Sequence, residues 1–165
     1  MAENKETKPT AEVDEVKALM AKMKAEGKKI LTLSLKQKYF DAIMASRKRK
    51  EFREVTPLTY NHFIQHDKEG YDILDENGNM QPIHYDAILF YTGAYNAGPR
   101  RDHALVEVTG AIAQYLVDAE GKVIEYKVDD GVKEPFYWQM SQVVFDLGKI
   151  LAVKTYPKDK VHYHG

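Results

Sequence analysis

Apolar residues recur along this chain with two periods, and the switches between them predict the elements. Val13, Val16, Leu19, Met20 and Met23 fall at helical spacing, which predicts an amphipathic helix from Ala11 to about Glu26. Thr10 is the expected N-cap, with Glu12 and Asp14 in the first turn, and Gly27 followed by Lys28 and Lys29 is the expected stop. Such a helix either docks its apolar stripe on the flank of the domain or offers it to a protein partner. Leu31, Leu33 and Leu35 then alternate with Thr and Ser, the pattern of a half-buried strand over Ile30–Leu35. Residues 36–46 return to the helical period through Tyr39, Phe40, Ile43 and Met44. Alternation resumes over 49–55, with Arg49, Glu51, Arg53 and Val55 on one face and Lys50, Phe52 and Glu54 on the other.

Pro57 should end that strand, and residues 58–66 read as a short helix or loop. Asn77-Gly78 is a hairpin-turn signal. Read instead as a calcium loop, the same stretch lacks a Glu at the last ligand position and sets two apolar residues where ligands belong. The most apolar strand, placed in the sheet interior, is 84–92. A Gly/Pro-containing loop with Tyr95, Arg100 and Arg101 follows it. Residues 104–115 form a long strand in which Gly110 predicts a bulge, 120–122 a turn, 123–128 a strand and 129–135 an acidic loop. Two further strands are expected at 142–145 and 150–154, separated by Asp146-Leu147-Gly148. Six or seven short strands, one helix after the first and no βαβαβ alternation predict an α+β fold, a small mixed β-barrel with flanking helices. The expected organisation is a tail and helix at 1–28, the domain at 29–156 and a polar tail at 157–165.

The chain has 165 residues, 44% hydrophobic and 30% charged, which suits one soluble domain. Its formal net charge of −1 gives no bulk argument for a polyanionic partner. Residues 1–55, however, hold 14 Lys/Arg against 9 Asp/Glu, leaving an acidic remainder. Six of those charges, Arg47, Lys48, Arg49, Lys50, Glu51 and Arg53, fall within seven positions. A strand that leads through a helix into such a strand can assemble an anion pocket, and Glu51 between arginines should favour its ionised form. With no cysteine, disulfides and thiolate metal sites are excluded. His162 and His164 lack companions for a metal site, so no metal and no cofactor is expected. No apolar run approaches the ~20 residues of a membrane span, and the charged N-terminus lacks a signal-peptide core. A cytoplasmic protein with no membrane partner is the expectation.

Leu33-Ser34-Leu35-Lys36, Tyr39-Phe40, Ile43, Arg47-Lys48 and Glu51-Phe52-Arg53 resemble the signature of the ASCH domain family, which belongs to the PUA-like β-barrels. Residues 88–95 resemble the central strand and loop of that family, and 106–112 the strand that completes its cleft. The resemblance covers roughly residues 30–155, with Ser46 where the family usually has Gly and Arg49 where Thr is common. It implies a cleft between helix and barrel that takes RNA or a nucleotide. Lys48 matches the family's key lysine, and Glu51 stands at a position that is Thr in a branch that deacylates acylated cytidine. Glu107 is the candidate carboxylate across the cleft. A binding module would use Lys36, Arg47, Lys48, Arg53, Arg100 and Arg101 on phosphate, with Tyr91 and Tyr95 stacking on bases. A hydrolase of RNA or of a modified nucleoside would use Lys48, Glu51 and Glu107 as its catalytic group.

Overall fold

The computed structural model describes residues 14–93 and 100–157. Its elements are α1 (Glu15–Ala25), β1 (Ile30–Leu35), α2 (Gln37–Met44), β2 (Lys50–Val55), α3 (Tyr60–Phe63), β3 (Ala87–Thr92), β4 (His103–Tyr115), β5 (Glu125–Val128), β6 (Phe136–Gln139) and β7 (Ser141–Lys154). The fold is α+β, strand-rich with few helices. A five-stranded sheet runs β1-β3-β4-β7-β2, and β5 pairs with β6 in a two-stranded sheet. Among the described ladders only β1–β3 is parallel, with α2 and β2 intervening between its strands, and the others are antiparallel. Among the described ladders none joins β1 to β2, so the large sheet is open there in its backbone hydrogen bonding.

Each face of the large sheet buries its own apolar set. Leu31, Ile88, Phe90, Val106, Val143 and Phe145 turn to one side and pack with Phe40 and Ile43 of α2 and Phe63 of α3. Ala87, Leu89 and Leu105 turn to the other and receive Val16, Leu19, Met20 and Met23 of α1. The apolar stripe of α1 is therefore packed within the chain, and Val16 is fully buried.

The cap of α1 is Asp14, whose Oδ1 accepts the N–H groups of Val16 (3.0 Å) and Lys17 (3.2 Å). Thr10, the expected cap, lies outside the described residues. At the other end Gly27, with φ +83, closes the helix as expected. Lys28 N–H donates to Met23 O (2.9 Å) and Gly27 N–H to Lys24 O (3.0 Å), the paired bonds of a Schellman stop. Asp14 also meets buried His103: Nε2 lies 3.1 Å from Asp14 Oδ2 and Nδ1 2.9 Å from Arg101 O. A carbonyl and a carboxylate both accept, so both contacts are hydrogen bonds only when the ring carries two protons.

Three loops share one construction. Asp67, Asp75 and Asp118 each accept, on Oδ1, the N–H groups two and four residues on. Gly70, Gly78 and Gly121, three residues after each Asp, adopt positive φ. The hairpin expected at Asn77-Gly78 is present, but only the glycine is left-handed. It is a three-residue loop held by Asp75 and not a two-residue turn.

Two expectations about strands are corrected. Residues 141–154 form one continuous strand, where two were expected. Long pairing with β4 carries it past Asp146-Leu147-Gly148, and register shifts between Leu105 and Gly110 absorb the bend, including the bulge expected at Gly110. β6, absent from the expectation, is largely exposed and exists through its pairing with β5.

Burial pushes the Asp14 carboxyl upward, but hydrogen bonds from Lys17 N–H, His103 and Val16 N–H outweigh it and hold the group below 3.8. A depressed carboxyl stabilises the fold above its unfolded value and loses that contribution as pH falls through its folded value. Asp14→Ala should cost about 1–2 kcal/mol in urea unfolding at neutral pH. The gap from wild type should narrow as pH drops below 3.8. A pH-independent gap would show that the carboxylate charge is not what holds α1.

Candidate anion-binding cleft

The cleft forms where the two edge strands of the open sheet approach each other. Alternation in β2 turns Glu51 and Val55 inward, and Glu51 is only 5% exposed. A buried carboxylate needs partners, and it has two. Its Oε1 lies 2.9 Å from Lys48 Nζ, and its Oε2 accepts Arg53 Nε at 2.7 Å. Arg53 Nη2, 2.7 Å from the same Oε2, also donates to Ser34 O at 2.7 Å. One guanidinium thus joins β2 to β1 where no backbone ladder does. Lys48 Nζ further donates to Lys50 O at 2.7 Å.

Around this group lies an open cleft of about 500 Å³ lined by Ser34, Leu35, Lys36, Tyr39, Lys48, Glu51, Phe52 and Arg53. Tyr39 and Phe52 are 43% and 52% exposed. The Lys48 ammonium lies 5.9 Å from the first ring centre and 5.8 Å from the second. Lys36 stands at the rim as the N-cap of α2, a helix start with no side-chain cap and no acid in its first turn. Three cations, Lys36, Lys48 and Arg53, thus share the lining with one carboxylate.

The turn that delivers Lys48 is strained. Ser46 has φ +58, the sole positive φ at a non-glycine among the described residues. It occupies the C′ position of a Schellman stop, with Arg47 N–H donating to Ala42 O (2.8 Å) and Ser46 N–H to Ile43 O (3.0 Å). The left-handed turn is thus made with a side chain that disfavours it.

The expected site residues separate into groups. Lys36, Lys48, Glu51 and Arg53 line the cleft together. Arg47 is exposed and outside its lining. Glu107 lies in an adjoining cavity of about 300 Å³ that Lys48 also lines, with Arg49, Gly148 and Lys149. There its Oε1 accepts Lys149 N–H at 3.3 Å. Tyr91 packs with the α1 side of the sheet, tilted against His103 and covered by the Arg101 guanidinium at 4.8 Å. Arg101 Nε donates to Thr92 O, and Arg100 lies over Tyr156. These three do not line the cleft, and Tyr95 lies outside the described residues. Tyr39 and Phe52 are the aromatic walls that sequence reasoning missed. The available signal was Phe52 set on the outward face of a charged strand, since an outward aromatic there has no core to fill.

The chain matches no protein-family model, and no curated protein or solved structure is significantly similar to it.

Glu51→Ala should leave two cations facing each other beside the core. The cost should be about 2 kcal/mol in denaturant unfolding, below the 3–5 of a fully buried pair because both cations reach solvent. An unchanged midpoint would show that the ion pairs do not hold the seam. Ser46→Gly should instead stabilise by about 1 kcal/mol, by relieving a left-handed backbone. A destabilised glycine variant would show that the Ser46 side chain does more than tolerate its turn.

Proposed function

We propose that the cleft binds single-stranded RNA or a nucleotide. The observation that carries this reading is the pair of half-exposed rings, Tyr39 and Phe52, each within 6 Å of the Lys48 ammonium. Rings in that position offer stacking surface to a base, while Lys36, Lys48, Arg53 and the uncapped start of α2 meet the phosphate. Glu51 offsets one of the cations and, by holding Lys48 and Arg53 in place, lowers the ordering cost of binding. Under this reading the chain is an ASCH-type protein, and its curled sheet is a PUA-like barrel whose seam is bridged by Arg53. Support for that assignment is the motif over residues 33–53 together with the left-handed turn at Ser46.

A second reading, hydrolysis of RNA or of an acylated cytidine, is favoured by one contact. Lys48 Nζ and Glu51 Oε1, at 2.9 Å, are within proton-transfer distance. Binding is the stronger reading because both carboxylate oxygens of Glu51 are already held by cations.

Fluorescence anisotropy with labelled single-stranded RNA tests the first reading. Three phosphate contacts give a log–log salt slope of about −2, so raising salt from about 50 to about 200 mM should weaken binding roughly 20-fold. Tyr39→Ala or Phe52→Ala should weaken it about tenfold at fixed salt. Salt-independent binding, or aromatic variants that bind like wild type, would remove the cleft from this role. In parallel, release of the acyl group from acylated cytidine by wild type but not by Lys48→Ala would favour hydrolysis.

A further inference from the structure

A separate cavity, of about 470 Å³, lies between the far end of β2, α3 and the β5–β6 sheet. Its chemistry is the reverse of the cleft's. Four aromatic side chains line it, Tyr60, Tyr115, Tyr137 and Trp138, with two carboxylates, Asp72 and Glu125, and neither Lys nor Arg is among its lining residues.

The inner aromatics are fixed by their polar ends. Trp138 Nε1–H donates to Val55 O at 2.9 Å, and the indole meets Tyr60 edge-on at 6.0 Å. The Tyr60 hydroxyl donates to Asp72 Oδ1. Burial, then Asp72, pushes the Tyr60 phenol well above its ordinary value, so it stays a neutral donor. Tyr115 and Tyr137, 41% and 69% exposed, stand at the rim. Pre-set aromatic faces with a negative quadrupole, backed by carboxylates and no competing cation, suit a weakly hydrated organic cation. A phosphate would meet two like charges there. An inorganic metal ion would need more oxygen ligands, and no cluster of three or more His, Asp or Glu able to hold a metal occurs among the described residues.

We propose that this cavity binds an alkylated ammonium group, as carried by a free quaternary amine or a methylated lysine side chain. Its walls would contact the methyl groups, and Asp72 and Glu125 would balance the charge. The site is independent of the cleft and of the function proposed for it.

Titration calorimetry on the full chain compares choline with 3,3-dimethyl-1-butanol, its uncharged isostere, and with peptides carrying trimethyl-lysine or plain lysine. Choline should bind roughly 3- to 30-fold more tightly than the isostere, the range expected for desolvated cation–π contact. Tyr137→Ala and Asp72→Asn should each erase most of that preference. Tyr137 is exposed enough that its loss leaves the fold intact, which a thermal melt verifies. A trimethyl-lysine peptide that outbinds choline tenfold makes a modified protein the source, and equal affinities make it a free amine. Equal binding of choline and isostere, no millimolar binding of either, or tighter binding of a neutral nucleoside would each overturn the proposal.

Discussion

The arrangement on which the cleft depends is the carboxylate of Glu51 between Lys48 and Arg53. A hydrogen-bonded sheet of order β1-β3-β4-β7-β2 leaves two edges, and an exposed edge exposes unpaired backbone groups. Here the Arg53 guanidinium satisfies one of them, the Ser34 carbonyl, while its other side is neutralised by Glu51. The guanidinium that bridges the edges also lines the cleft. Arg53, which bridges the two edges, and Lys48, which is anchored on Glu51, both remain partly open to solvent there.

That sharing explains the local compromises. A left-handed Ser46 is tolerated because the turn must bring Lys48 to Glu51 within four residues of the end of α2. Phe52 is left half exposed because β2 alternates strictly, and burying Glu51 commits the next side chain outward. The charge separation extends across the molecule. Lys36, Lys48 and Arg53 converge on the cleft from α2, the turn after it and β2, while the charged side chains among the described lining residues of the aromatic cavity beyond Val55 are carboxylates. The cleft's lining is thus net cationic and that of the aromatic cavity net anionic.

Much of the fold was legible because burial imposes a period. Leu31-Leu33-Leu35, Phe40 with Ile43, and Glu51-Arg53-Val55 each take the face that their spacing assigns. Gly27 announces a helix stop because its φ of +83 favours glycine, and Gly110 marks a register shift in β4. What escaped depends on partners distant in sequence. β6 has exposed side chains and no periodic signal, and β7 crosses Asp146-Leu147-Gly148 unbroken because β4 bulges to follow it. The three Asp-x-x-Gly loops were readable in principle, since the aspartate and the glycine act at a fixed local spacing.

For the candidate site the division is sharper. The sequence by itself determined that Lys48, Glu51 and Arg53 would share a turn and a strand, because they lie within six residues and local geometry relates them. Only the tertiary structure decided their company. It brings Lys36 and Tyr39 to them across the seam, sets Glu107 in the adjoining cavity, and turns Tyr91 to the α1 side of the sheet. Strand parity decides which side chains share a face, and parity can be read along the chain. Which face meets which neighbour depends on strand order and sheet curl, and those are set by the burial of the whole core.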